Sequence, residues 1–146
     1  MAKTVQIQEL CPTGFGASEL KGYGYIGSIY KFEVRYTYPS HNEDFNPASL
    51  IFEYALAYKW TGQPAATPDM LNAYDTVVEV QDSQWLREIK SITRSAPEHL
   101  GKTSPSELNL RHYMVYFDDN GCLEVIAESV EFIKGQSQPS QGSQLT

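Results

Sequence analysis

The stretch that decides the fold is LRHYMVYFDDNGCLEVIAESVEFI, residues 110–133. Residues with large apolar side chains alternate with others on both sides of the Asp-Asp-Asn-Gly sequence. Alternation with a period of two is the pattern of a strand with two distinct faces. The stretch therefore predicts a β-hairpin around which the other strands assemble.

The loop of this hairpin sets its register. A two-residue turn at 120–121 would place Phe117 opposite Glu124 and mix the two faces, whereas a three-residue loop at 119–121 pairs Phe117 with Leu123 and keeps one face apolar. The longer loop also places Gly121 at a left-handed position, which glycine adopts without steric cost. We expect the three-residue loop.

On the other face of the hairpin, this register pairs Met114 with Ile126 and His112 with Glu128. A carboxylate beside an imidazole is half of an acid–base site. The ordinary alternative is a partly exposed ion pair worth well under about 1 kcal/mol. His112 and Glu128 are therefore candidate ligand-binding residues, and no catalytic residue is assigned.

The rest of the chain predicts a mainly β protein, α+β at the margin. About six antiparallel strands form a sheet, a sandwich or a partly open barrel, with one short helix at 82–93 that begins at an Asp82 N-cap and lays Trp85 and the isoleucines on the sheet. Besides the hairpin, the predicted strands are 4–10, 29–38, 49–60 and 74–81. The predicted loops are 15–27, 39–48, 61–69 and 95–109.

Length and composition predict one domain at 1–133 and a flexible Gln/Ser-rich tail at 134–146. Eighteen acidic and eleven basic residues give a net charge of -7. This charge disfavours nucleic acids and anionic membranes as partners and favours a protein with a basic surface. The oligomeric state stays open.

The two cysteines, Cys11 and Cys122, form neither a disulfide scaffold nor a metal-binding pattern, and no cofactor is predicted. No signal peptide or membrane-spanning run is recognisable, so we expect a cytoplasmic protein. The sequence at 22–27 matches GxGxxG, but a dinucleotide loop must open a helix, and here a strand is expected to follow. The oxygen-rich stretches at 118–120 and 41–46 lack the spacing of a calcium loop and are interpreted as turns.

Ten tyrosines and two tryptophans are many for 146 residues. Tyr58 and Trp60, on one face of the predicted strand 49–60, join His112 and Glu128 as candidate ligand-binding residues. The first hypothesis for function is a non-catalytic acidic protein-interaction domain. The alternatives are a small-ligand-binding β-barrel with an aromatic-lined cavity, and a small hydrolase or isomerase that uses His112 with carboxylates.

Overall fold

The computed structural model describes residues 3–14, 16–27, 29–40, 44–93, 109–118 and 120–135. Within these ranges the chain forms nine strands, one α-helix and two short 3-10 helices. In chain order the elements are β1 (Lys3–Glu9), β2 (Glu19–Ile26), β3 (Lys31–Pro39), β4 (Phe45–Glu53), β5 (Ala57–Gly62), the 3-10 helices Gln63–Ala65 and Pro68–Ala73, β6 (Thr76–Gln81), α1 (Gln84–Thr93), β7 (Arg111–Phe117), β8 (Gly121–Ala127) and β9 (Ser129–Lys134).

The strands form two antiparallel sheets, one with the order β1-β6-β7-β8-β5 and the other with the order β2-β3-β4-β9. The inner faces of the two sheets pack on each other, and the main core draws large apolar side chains from both. The four-stranded sheet contributes Phe32, Val34, Tyr36, Leu50 and Phe52, and the five-stranded sheet contributes Val77, Tyr113, Val115, Phe117, Leu123 and Val125. The predicted mainly β class with one short helix is confirmed, with nine strands instead of about six.

Two strand pairs run from one sheet into the other at a shared corner. β4 continues into β5, and β8 continues into β9. The two segments that turn the corner are hydrogen-bonded to each other: Glu128 N donates to Glu53 O at 2.9 Å, and Leu56 N donates to Ile126 O at 2.9 Å. Tyr54 turns the corner with φ +51°. The prediction of one unbroken strand at 49–60 was therefore wrong: the chain changes sheets at a bend, as is common where two sheets meet.

Several predicted loops contain strand. The glycine-rich stretch 15–27 holds β2, which pairs along its length with β3. The stretch 39–48 holds the first residues of β4, while residues 41–43 lie outside the described ranges. The stretch 61–69 begins with the end of β5 and continues into the 3-10 helices. Glycine and proline lowered the strand signal there, but pairing with neighbouring strands overrides local preference.

The central hairpin, β7–β8, has a register two residues away from the predicted one. Phe117 pairs with Gly121 and Val115 with Leu123, so the loop is 118–120. A shift of two leaves every side chain on its expected face, which is why both registers satisfy the hydrophobic pattern. As a consequence, His112 pairs with Ile126 and not with Glu128.

Helix α1 confirms the predicted helix, but its N-cap is Ser83 and not Asp82, because Leu86 N donates to Ser83 Oγ at 3.0 Å. Trp85, Leu86 and Ile89 pack against the five-stranded sheet. Ile92, which was expected to join them, is 66% exposed.

The predicted tail begins with the end of β9, and its residues 136–146 lie outside the described ranges. The same holds for residues 94–108, most of the predicted connection after the helix. None of the described helices has both the length and the apolar character that crossing a bilayer would require.

Candidate functional site

The outer face of the five-stranded sheet carries a row of unlike side chains. Met114 on β7 pairs with Glu124 on β8, and Glu124 pairs with Lys59 on β5. His112 stands one row further along, opposite Ile126. Cross-strand partners share a face, so these side chains all lie on the side of the sheet that bears helix α1 and the 3-10 helices.

His112 is buried at 5% exposure and bridges a serine and a glutamate. Its Nδ1 lies 2.7 Å from Ser83 Oγ, and its Nε2 lies 2.8 Å from Glu124 Oε1. Ser83 Oγ also accepts the N–H of Leu86. With neutral His112 protonated on Nε2, every group has a complementary partner: Leu86 donates to Ser83, Ser83 donates to His112, and His112 donates to Glu124.

The same three residue types form the triad of serine hydrolases, but the roles of the imidazole nitrogens differ. In a hydrolytic triad the serine bonds to Nε2 and the acid to Nδ1, whereas here Ser83 meets Nδ1 and Glu124 meets Nε2. Ser83 is also buried and engaged as a helix cap. The arrangement fastens the first turn of α1 to the sheet and does not expose a nucleophile.

The structure does not bring the four sequence-predicted site residues together. Tyr58 and Trp60 share a face of β5 with the core residues opposite them on β8, whereas His112 lies on the outer face of the same sheet. Glu128 lies at the corner between β8 and β9, where its N–H is used in the backbone bond to Glu53. The carboxylate beside His112 is Glu124.

Tyr58 belongs instead to an aromatic cluster at one side of the sandwich, where the edge strands β2 and β5 approach each other. Its ring centroid lies 6.0 Å from that of Tyr25, 5.9 Å from that of Tyr23 and 4.8 Å from that of Phe32. Trp60 stacks on Tyr23 at 5.7 Å. In this cluster Tyr58 and Trp60 pack against the aromatic rings of β2 and β3.

Part of this cluster reaches the surface, together with the turn between β2 and β3. Tyr25, Ile29, Tyr30 and Tyr58 are each between 39% and 52% exposed, and we call these four residues the tyrosine edge. The Tyr25 hydroxyl donates to Ala55 O at 2.7 Å, which fixes its ring. Burial, and then the neighbouring Tyr58 and Tyr30, raise the pKa of Tyr25, which therefore stays a neutral hydrogen-bonding phenol.

The turn itself has unfavourable backbone geometry. Ile29 and Tyr30 have φ of +59° and +58°, in the left-handed region. Residues other than glycine adopt this backbone conformation at a cost of about 1–2 kcal/mol, and β-branched residues are especially rare in it. Strained residues cluster at functional sites, and this turn has two of them in succession, whereas Tyr54, Asp75 and Asp82 have positive φ singly.

Neither cysteine offers reactivity. Cys11 lies in the main core, and Cys122 lies in a second cluster on the outer face of the five-stranded sheet. Burial, reinforced by Glu124, raises the pKa of the Cys122 thiol far above its usual range, so it stays protonated. In the part of the chain that the structure describes, no three His, Cys, Asp or Glu side chains are grouped to hold a metal ion.

Comparison with known proteins gave no significant match to a protein-family model, a curated protein or a solved structure. The functional argument therefore rests on the side chains themselves. The sequence pattern missed Ser83, Glu124 and the Ile29–Tyr30 pair. Ser83, in the Asp-Ser run before the helix, was recognisable as an alternative N-cap, but alternation carries no signal for the φ of a turn residue.

Proposed function

We propose that the protein is a non-catalytic binding module that holds a basic segment of another protein on the tyrosine edge. One observation carries the proposal: two half-exposed rings, Tyr25 and Tyr58, are held 6.0 Å apart by a packed aromatic cluster beside a strained turn. Rigid tyrosines lose little conformational entropy when they bind, and aromatic residues are enriched in the interaction sites of proteins.

The chemistry of the partner follows from the rings and the charge. A guanidinium stacks on the face of a tyrosine, with about 0.5–1 kcal/mol gained at an exposed site. The net charge of -7 attracts a basic segment over longer distances and repels an acidic one. Ile29, at 52% exposure, adds an aliphatic contact next to the rings. An arginine flanked by an aliphatic residue is therefore the element that we expect this surface to recognise, in a partner that meets the protein in the cytoplasm.

A randomised peptide library displayed on phage tests the proposal. We expect the wild-type protein to enrich peptides that combine arginine with an aliphatic residue. The double variant Tyr25→Ser/Tyr58→Ser should lose them, since it removes both rings but leaves the strands paired. Circular dichroism and urea unfolding of the variant show whether it is folded.

The matched control is Leu71→Ser, which removes another exposed apolar side chain, 57% accessible, from the 3-10 helix Pro68–Ala73. It should enrich the same peptides as the wild type. Peptides that bind the folded double variant as well as the wild type would overturn the proposal, as would the absence of any wild-type-specific peptide. Self-association that the double variant abolishes would replace the foreign partner by a second copy of the chain.

A further inference from the structure

A cavity of about 230 Å³ lies on the outer face of the five-stranded sheet, away from the tyrosine edge. Its floor is made by side chains of β6, β7 and β8, and the 3-10 helix Pro68–Ala73 forms one wall. Polar and apolar groups converge there. The lining residues are Thr4, Lys59, Thr67, Asp69, Met70, Val80, His112, Met114 and Glu124.

Glu124 gives this cavity its chemical character. The residue is 5% exposed, and its Oε1 accepts a hydrogen bond from His112. Among the described residues, no hydrogen bond or ion pair reaches its second oxygen, Oε2. Oε2 is also not completely buried. A nearly buried carboxylate thus keeps one oxygen for a group that enters the cavity.

Lys59 is the cation nearest to Glu124 in the strand pairing, but its ammonium group contacts Trp85. Lys59 stands directly opposite Glu124 in the strand pairing, but its Nζ lies 4.3 Å from the centre of the Trp85 ring. Within the described ranges it makes no ion pair with Glu124. A buried carboxylate is stable when its charge and both of its oxygens are compensated, and the hydrogen bond from His112 reaches only Oε1.

The rest of the lining suits a small amphipathic cation. Val80, Met70 and Met114 offer an apolar surface, and thioether side chains adapt to the shape of a ligand. Asp69, partly exposed in the wall, adds a second carboxylate. An ammonium group donates up to three hydrogen bonds, which Glu124 Oε2, Asp69 and the hydroxyl of Thr67 can share.

We propose that this cavity is a binding site for a small organic cation, a primary alkylammonium with a short aliphatic chain. The nitrogen lies against Glu124 Oε2 and the chain lies along Met114 and Val80. The site is separate from the tyrosine edge, because its side chains project from the outer face of the sheet whose inner face bears Tyr58. A test of this cavity is therefore independent of a test of the proposed protein partner.

The test is a titration with n-butylammonium chloride followed by ¹H–¹⁵N NMR, with sodium butyrate, n-butanol and γ-aminobutyrate as matched probes. We expect butylammonium alone to shift the amides of residues 67–70, Met114 and Glu124 in a saturable way, with a dissociation constant at or below the millimolar range. Glu124→Gln keeps the acceptor for His112 but removes the charge, and should weaken binding at least about tenfold, which corresponds to the loss of one charged hydrogen bond.

Asp69→Asn is the second variant, since this partly exposed residue can change without disturbing the core, and we expect it to weaken binding a few-fold. Glu33→Gln, on the four-stranded sheet, is the control and should leave binding unchanged. Equal shifts with butanol or butyrate would overturn the proposal, as would wild-type affinity in both folded cavity variants. Tighter binding of γ-aminobutyrate than of butylammonium would also contradict it, because it would make the ligand a zwitterion that also uses Lys59.

Discussion

His112 and Glu124 are joined by a hydrogen bond of 2.8 Å between Nε2 and Oε1, although they stand in neighbouring rows of the sheet and not directly opposite each other. The other ring nitrogen of His112 meets Ser83 at the start of helix α1. One buried imidazole thus connects the helix cap to the middle of the five-stranded sheet. This chain of contacts has a structural role that mutation can measure.

Replacing Ser83 with alanine should destabilise the protein by about 2 kcal/mol, because the helix loses its N-cap and His112 loses a partner. The measurement is the free energy of unfolding in urea at neutral pH. Ser91→Ala is the matched control, since Ser91 lies on an exposed part of the same helix, and it should change stability by less than about 0.5 kcal/mol. Equal stability of the two variants would show that the Ser83–His112 contact does not contribute to the free energy of unfolding.

Gly121 should tolerate no side chain. A Cβ at this residue would lie 2.3 Å from Thr61 O, and the backbone has φ +150°. We expect Gly121→Ala to cost more than about 2 kcal/mol or to prevent folding, since both backbone strain and a steric clash oppose it. Gly24→Ala, in β2 with open space around the glycine, is the control and should fold normally. A stable Gly121→Ala protein would argue against the observed register of β5 and β8.

That register shows what the sequence pattern can and cannot decide. Alternation predicted both faces of the hairpin correctly, because a strand has only two faces. It could not separate two registers that differ by two residues, since both leave every side chain on the same face of the sheet. Gly121 also lies against Thr61 on β5, and a contact of this kind, between residues far apart in sequence, leaves no trace in the alternation.

The sequence pattern also failed to predict the corner at Tyr54, for a similar reason. Apolar residues continue to alternate through 49–60 while the chain passes from one sheet to the other, so periodicity alone predicted a single strand. The site was predicted only in outline. A carboxylate beside His112 was expected, but the register made it Glu124 and not Glu128. Tyr58 was a candidate ligand-binding residue from the sequence. Its neighbours Tyr23 and Tyr25 on β2 were not, because they lie in a stretch that was predicted to be a loop.

The backbone strain at Ile29 gives a prediction about stability. Ile29→Asn should be about 1 kcal/mol more stable than Ile29→Val, because asparagine tolerates the left-handed region and valine, like isoleucine, does not. Both variants shorten the side chain, so their comparison separates backbone strain from lost contact. Urea unfolding measures the stability. If Ile29→Val proved the more stable of the two, the turn would not be strained.

Asp75 should make stability depend on pH. Burial is the largest influence on this carboxyl and raises its pKa above 3.8, even though Ser18 N donates to its Oδ1 at 2.9 Å. The folded state therefore binds a proton more readily than the unfolded state, and this group contributes a loss of stability as the pH rises from about 4 through the raised pKa. Asp75→Asn removes that contribution and keeps the acceptor oxygen.

The stability of Asp75→Asn relative to the wild type should therefore be higher at pH 7 than near pH 4, with the difference measured by urea unfolding at both pH values. Asn is also well tolerated at the φ of +55° that this residue has. A relative stability that falls with pH would mean that the hydrogen bond from Ser18 outweighs burial.

The central claim is that the tyrosine edge recognises arginine, and its most direct test is a ¹H–¹⁵N NMR titration with a short peptide that carries arginine next to leucine. Peptides with lysine or glutamate in place of the arginine are the matched probes. We predict saturable shifts at the amides of Tyr25, Tyr30 and Tyr58, weaker binding of the lysine peptide because it lacks a planar guanidinium, and no binding of the glutamate peptide. Shifts that are equal for the arginine and glutamate peptides, or that persist in the folded Tyr25→Ser/Tyr58→Ser variant, would contradict the claim.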